Sequence, residues 1–192
     1  MRTVVITLSL LFLFVTSKAQ STENLDTWRV AKTRQNMAIL GSWALVNIGG
    51  GIAGMRSTKG STYYFHQMNV GWNAVNLGIA AVGYILTKPS GESDPFRLIS
   101  RLSAIENSLM LNTGLDVAYI TSGIALIELS RHQPIRSDRF KGFGQSLILQ
   151  GAFLAIFDIY QYVVINKKKN QFLKEKLSIH TTPLYGCITF RF

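Results

Sequence analysis

Apolar positions dominate four stretches of the chain, residues 37–55, 68–86, 108–127 and 143–165, and no Lys or Arg interrupts any of them. Each is close to the ~20 residues that a helix needs to cross a hydrocarbon layer of ~30 Å at 1.5 Å per residue. Four such stretches in one short chain are hard to bury in a soluble fold. The pattern predicts an all-α membrane protein, a four-helix transmembrane bundle.

The polar positions inside these stretches are not scattered. Asn47, Gly51 and Gly54 in the first, and Asn69, Asn73 and Asn76 in the second, recur at helical spacing. So do Asn112, Asp116, Tyr119 and Gly123 in the third, and Gly151, Ala155, Asp158 and Tyr162 in the fourth. Spacings of three and four place each set on one side of its helix, and that side is expected to face the other helices rather than lipid.

The flanks predict further elements. Residues 1–19 have the layout of a signal peptide: Arg2, an apolar run, and Ser17-Lys18-Ala19 as a cleavage site. Ser21 or Thr22 is an expected N-cap, with Glu23 and Asp26 in the first turns, of a helix running on into the first span. Tyr63, Tyr64, Phe65 and His66 suit an interfacial collar. Pro89, Gly91 and Pro95 break the chain, and Asp94-Pro95 has the composition of a helix start. Leu98, Leu102 and Ile105 then repeat as an amphipathic lead expected to lie on the membrane surface.

Residues 20–166 make up the expected membrane domain, and 167–192 a basic tail. Within that tail Leu184, Gly186, Ile188, Phe190 and Phe192 alternate with polar neighbours, as in a strand, so a short β-like hairpin turning near Thr182-Pro183 is expected.

Composition agrees with this reading. Of 192 residues 47% are hydrophobic and 16% charged, with a net charge of +10. The basic residues gather at span ends, in residues 130–141 and at Lys167-Lys168-Lys169, which points to anionic lipid headgroups as partner and away from nucleic acid. The single Cys187 cannot form an internal disulfide.

The chemistry narrows to the intramembrane polar groups. Asn47, Asn76 and Asp116 sit near the middle of their spans and Asp158 about a turn from the middle of its own. A mid-bilayer Asp costs on the order of 2.5–3.5 kcal/mol on insertion scales. One reading is a cation or proton site with Asp116 and Asp158 titrating and Asn47, Asn69, Asn73, Asn76, Asn112 and Tyr119 around them. The other is structural glue, polar side chains bonding between helices for ~0.6 kcal/mol each.

Gly49-Gly50-Gly51-Ile52-Ala53-Gly54 fits the dinucleotide spacing but has no βαβ context, and Gly50 with Gly54 reads instead as a helix contact face. His66, His132 and His180 lack metal-ligand spacing, and Glu106 and Glu128 fall where they would reach headgroups or water. No catalytic grouping, cofactor or metal is indicated.

The segments Tyr64-Phe65-His66-Gln67-Met68-Asn69-Val70-Gly71-Trp72-Asn73-Ala74-Val75-Asn76-Leu77-Gly78, Asn112-Thr113-Gly114-Leu115-Asp116-Val117 and Gly142-Phe143-Gly144-Gln145-Ser146-Leu147-Ile148-Leu149-Gln150-Gly151 resemble a family of small, uncharacterised bacterial multi-span proteins with an N-terminal signal. The resemblance covers most of the chain after residue 25. It implies the architecture and no activity.

Topology holds a conflict. A cleaved signal followed by four spans puts both ends outside. Between Arg29 and Lys176 that side would hold eleven basic residues and the inner side six. The positive-inside rule asks for the reverse. The sequence therefore predicts a multi-pass protein of the cytoplasmic membrane, inserted through its N-terminal signal, acting as a non-enzymatic structural component or binding a protein partner or a second copy. The alternatives are a small transporter or ion-conducting protein using Asp116 and Asp158, and a membrane-embedded enzyme acting on lipid through Asp116 or His66.

Overall fold

A computed structural model describes the backbone of residues 2–181 and 186–190 and the side chains of residues 24–176. Four long helices run up and down: α1 (Arg2–Ser57), α2 (Gly60–Leu86), α3 (Pro95–His132) and α4 (Ser137–Lys176), with a 3-10 turn at Pro134–Arg136. Beyond α4 the backbone of β1 (Leu177–Thr181) pairs antiparallel with β2 (Gly186–Phe190), Leu177 opposite Phe190. The turn expected near Thr182-Pro183 lies outside the described residues.

The connections follow local chemistry. Lys59 precedes Gly60 at φ 61, a left-handed conformation that costs glycine nothing and reverses the chain within two residues. At the other end Asp94 caps α3, its side chain accepting from the Phe96 N–H at 3.0 Å, with Pro95 in the first turn. No cap forms at Ser21 or Thr22, because α1 is already helical there.

Three segments are long and apolar enough to cross a membrane: Asn24–Ser57, Pro95–His132 and Pro134–Lys176. The helix α2 is also long, 27 residues, but Asn69, Asn73 and Asn76 lower its hydropathy, so it is not among them. On length and composition three helices qualify, where four crossings were expected.

Burial supports a hydrocarbon surrounding. Among the described residues twelve hydrophobic and twelve polar or charged side chains are buried, while Val46, Val75, Ile85, Leu111 and Ile156 are all more than 60% exposed. A soluble domain keeps its polar groups outside. Here the spans do the opposite.

The helix α4 is central. It packs along α3, lies against α2, and meets α1 through side chains such as Trp43 and Phe153, whose rings stack at 3.8 Å. The tightest contacts occur where glycines allow them. A Cβ on Gly123 would lie 2.6 Å from the Gly144 carbonyl oxygen, and one on Gly144 would lie 2.5 Å from that of Gly123. In the first hairpin the close face is Gly51 and Gly54 against His66 and Val70. Gly50 faces open space, so the expected Gly50–Gly54 contact is corrected to one made by Gly51 and Gly54.

Two further corrections concern the end of the bundle that holds the α2–α3 loop. The amphipathic lead does not lie on a membrane surface but continues α3, with Leu98 and Leu102 each 1% exposed. They join Leu25, Leu109, Ile165 and Phe172 in one apolar cluster. Likewise Lys167-Lys168-Lys169 belong to α4, which runs on to Lys176, so the tail begins ten residues later than expected. Three helix ends thus bury their apolar faces on one another as a stalk, which removes more apolar surface from water than an interfacial helix could.

Charged and polar side chains also hold this stalk. Asp26 accepts from the Ser90 N–H at 2.6 Å and from Arg29, and Arg29 and Arg34 donate to the carbonyls of Lys88 and Thr87. The α2–α3 loop is therefore tied to α1. Burial raises the Asp26 carboxyl, but the hydrogen bonds from Ser90 and Arg29 outweigh it and hold the group below the ordinary carboxylate range. Glu106 is only 5% exposed and does not reach headgroups or water: it pairs with Lys169 and accepts from Asn166. Glu128, by contrast, is exposed and pairs with Arg131.

Candidate functional site: a polar cavity between two helical hairpins

The eight polar residues singled out from the sequence separate into two groups along the bundle. Toward the loop near Ser57, Asn47 and Asn69 join a network centred on Gln150. Its amide N–H donates to Asn69 Oδ1 at 2.9 Å and to Asn47 Oδ1 at 3.4 Å, and its oxygen accepts from Trp43 Nε1 at 3.0 Å. Ser146 Oγ completes it, donating to Asn69 Oδ1 at 2.7 Å. Ser146 and Gln150 are fully buried. This half of the bundle is sealed.

Above that network α3 and α4 remain in close contact where Gly151 meets Asp116, and a space opens between the two hairpins. The rings of Trp72 and Tyr119 meet edge to face at 4.7 Å, at the lower end of the space that opens. The cavity is about 590 Å³ and is bounded by all four helices. Asn76, Asn112, Asp116, Tyr119 and Asp158 line it, five of the eight expected residues. Asn73 does not: it is buried, its amide donating to the Asn69 carbonyl at 2.9 Å.

Electrostatically the cavity is one-sided. Asp116 and Asp158 both line it and, among the described residues, no Lys, Arg or His does. Asn112 lines the cavity with them. Gln161 donates to Asp158 Oδ1 at 3.5 Å and accepts from Asn36 Nδ2 at 2.5 Å. Asp116 is 3% exposed, and its Oδ2 is buried without a hydrogen-bond partner; so are Asn76 Nδ2, Asn36 Oδ1 and Trp72 Nε1. Buried polar atoms without partners are rare because each forfeits its hydration. These four residues border the cavity from α1, α2 and α3, while a fifth such atom, Asn73 Oδ1, is buried away from it.

A family model for a family of unknown function, DUF6992, matches residues 39–159, a span that includes all eight of the expected residues and both acids. The chain belongs to this family. No curated protein and no solved structure matches it. The DUF6992 match begins after Asn36 and ends just before Gln161, so it leaves out the α1 and α4 parts of the cavity rim and of the stalk and includes the α3 part, with Leu98, Leu102 and Ser108.

Asn36, Trp72 and Gln161 in the cavity, and Trp43, Ser146 and Gln150 in the sealed network, escaped the sequence reading. A signal for the glutamines existed: Gln150 and Gln161 lie about three helical turns apart and so share a face. The conspicuous small-residue stripe of Gly151 and Ala155 drew attention from them. His66 packs against Gly54 and does not line the cavity.

Proposed function

We propose that this member of DUF6992 is a non-enzymatic four-span protein of the cytoplasmic membrane, inserted through its N-terminal signal, whose central cavity binds a positively charged or proton-donating ligand through Asp116 and Asp158. The observation that carries the reading is Asp116 Oδ2, buried and unpartnered on the wall of a cavity lined by a second acid and no base. Two facing carboxyls in low dielectric are not both ionised without a compensating cation. A purely structural role would call for polar groups that satisfy one another, as Gln150, Asn69 and Ser146 do; the cavity residues leave four atoms open. A lipid-acting enzyme would need a second catalytic group beside Asp116, and His66, the one the sequence suggested, packs elsewhere.

Four crossings are supported by α2 running the full length beside α1 and α4, its asparagines turned inward and Val75, Ile79 and Val82 exposed. Anionic headgroups at the stalk end are a partner for the exposed Lys167 and Lys174, whereas Arg29, Arg34 and Lys169 are already engaged.

The test is modification by dicyclohexylcarbodiimide, an apolar reagent selective for protonated carboxyls, on the protein in nanodiscs, mapped by mass spectrometry. Asp116 or Asp158 is expected to be modified, less so as pH rises, and to be protected by an added organic cation. Absence of modification between pH 5 and 9 in a folded sample would show sealed, structural carboxyls and overturn the proposal.

A further inference from the structure

The cavity is not closed on all sides. Between α2 and α3 it reaches the lipid-facing surface, where Val75, Ile79 and Leu115 line it while being 63%, 54% and 45% exposed. This mouth is apolar and faces the direction in which hydrocarbon lies.

Behind the mouth runs a polar track. Ser108, Asn112 and Asp116 are spaced by four on α3, share one stripe, and all line the cavity; Ser108 and Asn112 are exposed and Asp116 is buried. A head group descending from the stalk end would meet a hydroxyl, then an amide, then the unpartnered carboxylate oxygen. A chain attached to that head could remain in the hydrocarbon between α2 and α3.

Resting on the ligand-binding reading above, we propose that the ligand is a single-chain ammonium amphiphile, entering sideways between α2 and α3 with its head on Asp116 and Asp158 and its alkyl chain along Val75 and Ile79. Three features select this class. The volume, about 590 Å³, is in the range of small-molecule pockets and exceeds what a dehydrated metal ion fills. Two carboxyls with no base repel a phosphate, so an aminophospholipid is disfavoured despite its ammonium. An ammonium offers only donors, which match the two open acceptors, Asp116 Oδ2 and Asn36 Oδ1, and leave the two open donors, Asn76 Nδ2 and Trp72 Nε1, as they are.

Trp72 lines the cavity and serves as the reporter. The full chain in zwitterionic nanodiscs is titrated with a brominated C18 alkylamine, a brominated C18 fatty acid and a brominated phosphatidylethanolamine, and the signal of Trp72→Phe is subtracted. The amine is expected to quench Trp72 at about tenfold lower mole fraction than the other two, the scale of one charge-assisted hydrogen bond. Asp116→Asn with Asp158→Asn, which keeps shape while removing charge, is expected to abolish that preference. Equal quenching by amine and acid, an unchanged preference in the double variant, or quenching by the aminophospholipid as strong as by the amine would each overturn the proposal. Carbodiimide reactivity with no amine preference would sink the amphiphile alone; absence of both would sink the binding reading with it.

Discussion

A Cβ on Gly151 would lie 2.9 Å from the carbonyl oxygen of Asp116, so the backbone that carries one acid is seated directly on the small residue of the neighbouring helix. The same device recurs at Gly123 and Gly144. It explains why α3 and α4 stay in register beside the cavity and below it, and it makes a prediction. Gly123→Val forces the helices apart and is expected to destabilise by about 1–3 kcal/mol, the usual cost of overpacking. At Gly114, where nothing lies within 4 Å, Ala is expected to be neutral or stabilising by up to about 1 kcal/mol. Thermal unfolding in detergent, followed by tryptophan fluorescence, checks both; an equal loss at the two positions would contradict the contact.

The buried pair of Glu106 and Lys169 joins α3 to α4 across the stalk. Removing one partner strands a buried charge, so Lys169→Met alone is expected to cost about 3–5 kcal/mol, while Lys169→Met with Glu106→Leu recovers most of it. A double-mutant cycle on unfolding midpoints measures this. Additive losses would mean that the pair is not a coupled unit.

Acid is expected to loosen the α2–α3 loop through Asp26. Its folded carboxyl titrates below the unfolded value of 3.8, so its contribution to stability is complete above about pH 4 and is lost as pH falls through the folded value. Hydrogen exchange at the Ser90 amide, which donates to Asp26, is expected to speed up in that window once corrected for intrinsic rates. In Asp26→Asn the exchange is expected to be fast already at neutral pH, and a wild-type-like pH profile in that variant would remove Asp26 from the clamp.

Crossing by α2 is decided with cysteines at its two ends. In a Cys187→Ser background, Lys59→Cys and Lys88→Cys are expected to react with an impermeant maleimide from opposite faces of the membrane. The end holding Lys88 also holds eleven of the basic residues against six, so the positive-inside rule and a cleaved signal assign it to opposite faces, and the face from which Lys88→Cys reacts decides between them. Reaction of both from one face would make α2 a non-spanning helix and leave three crossings.

Much was legible before any coordinates. The helices followed from apolar runs of membrane length, and the stripes of Asn69, Asn73 and Asn76, or Asn112, Asp116 and Tyr119, located the inward faces, because helical periodicity is a property of sequence alone. The start of α3 at Asp94-Pro95 was equally local. What failed were two statements about contacts between helices. Glu106 was assigned to water because its pairing with Lys169 joins residues from different helices. The lead at 95–107 was assigned to a membrane surface because an apolar stripe does not say whether lipid or another helix will cover it.

The sequence by itself determined that this chain forms long helices, polar inside and apolar outside, since both depend on residues within a few turns of one another. Only the tertiary structure decided which inward-facing residues satisfy each other and which do not. Gly123, Gly144 and Gly151 seat α3 on α4, and beside that seam, where the two hairpins leave a space, Asp116 and Asp158 line a cavity and one oxygen of Asp116 has no partner.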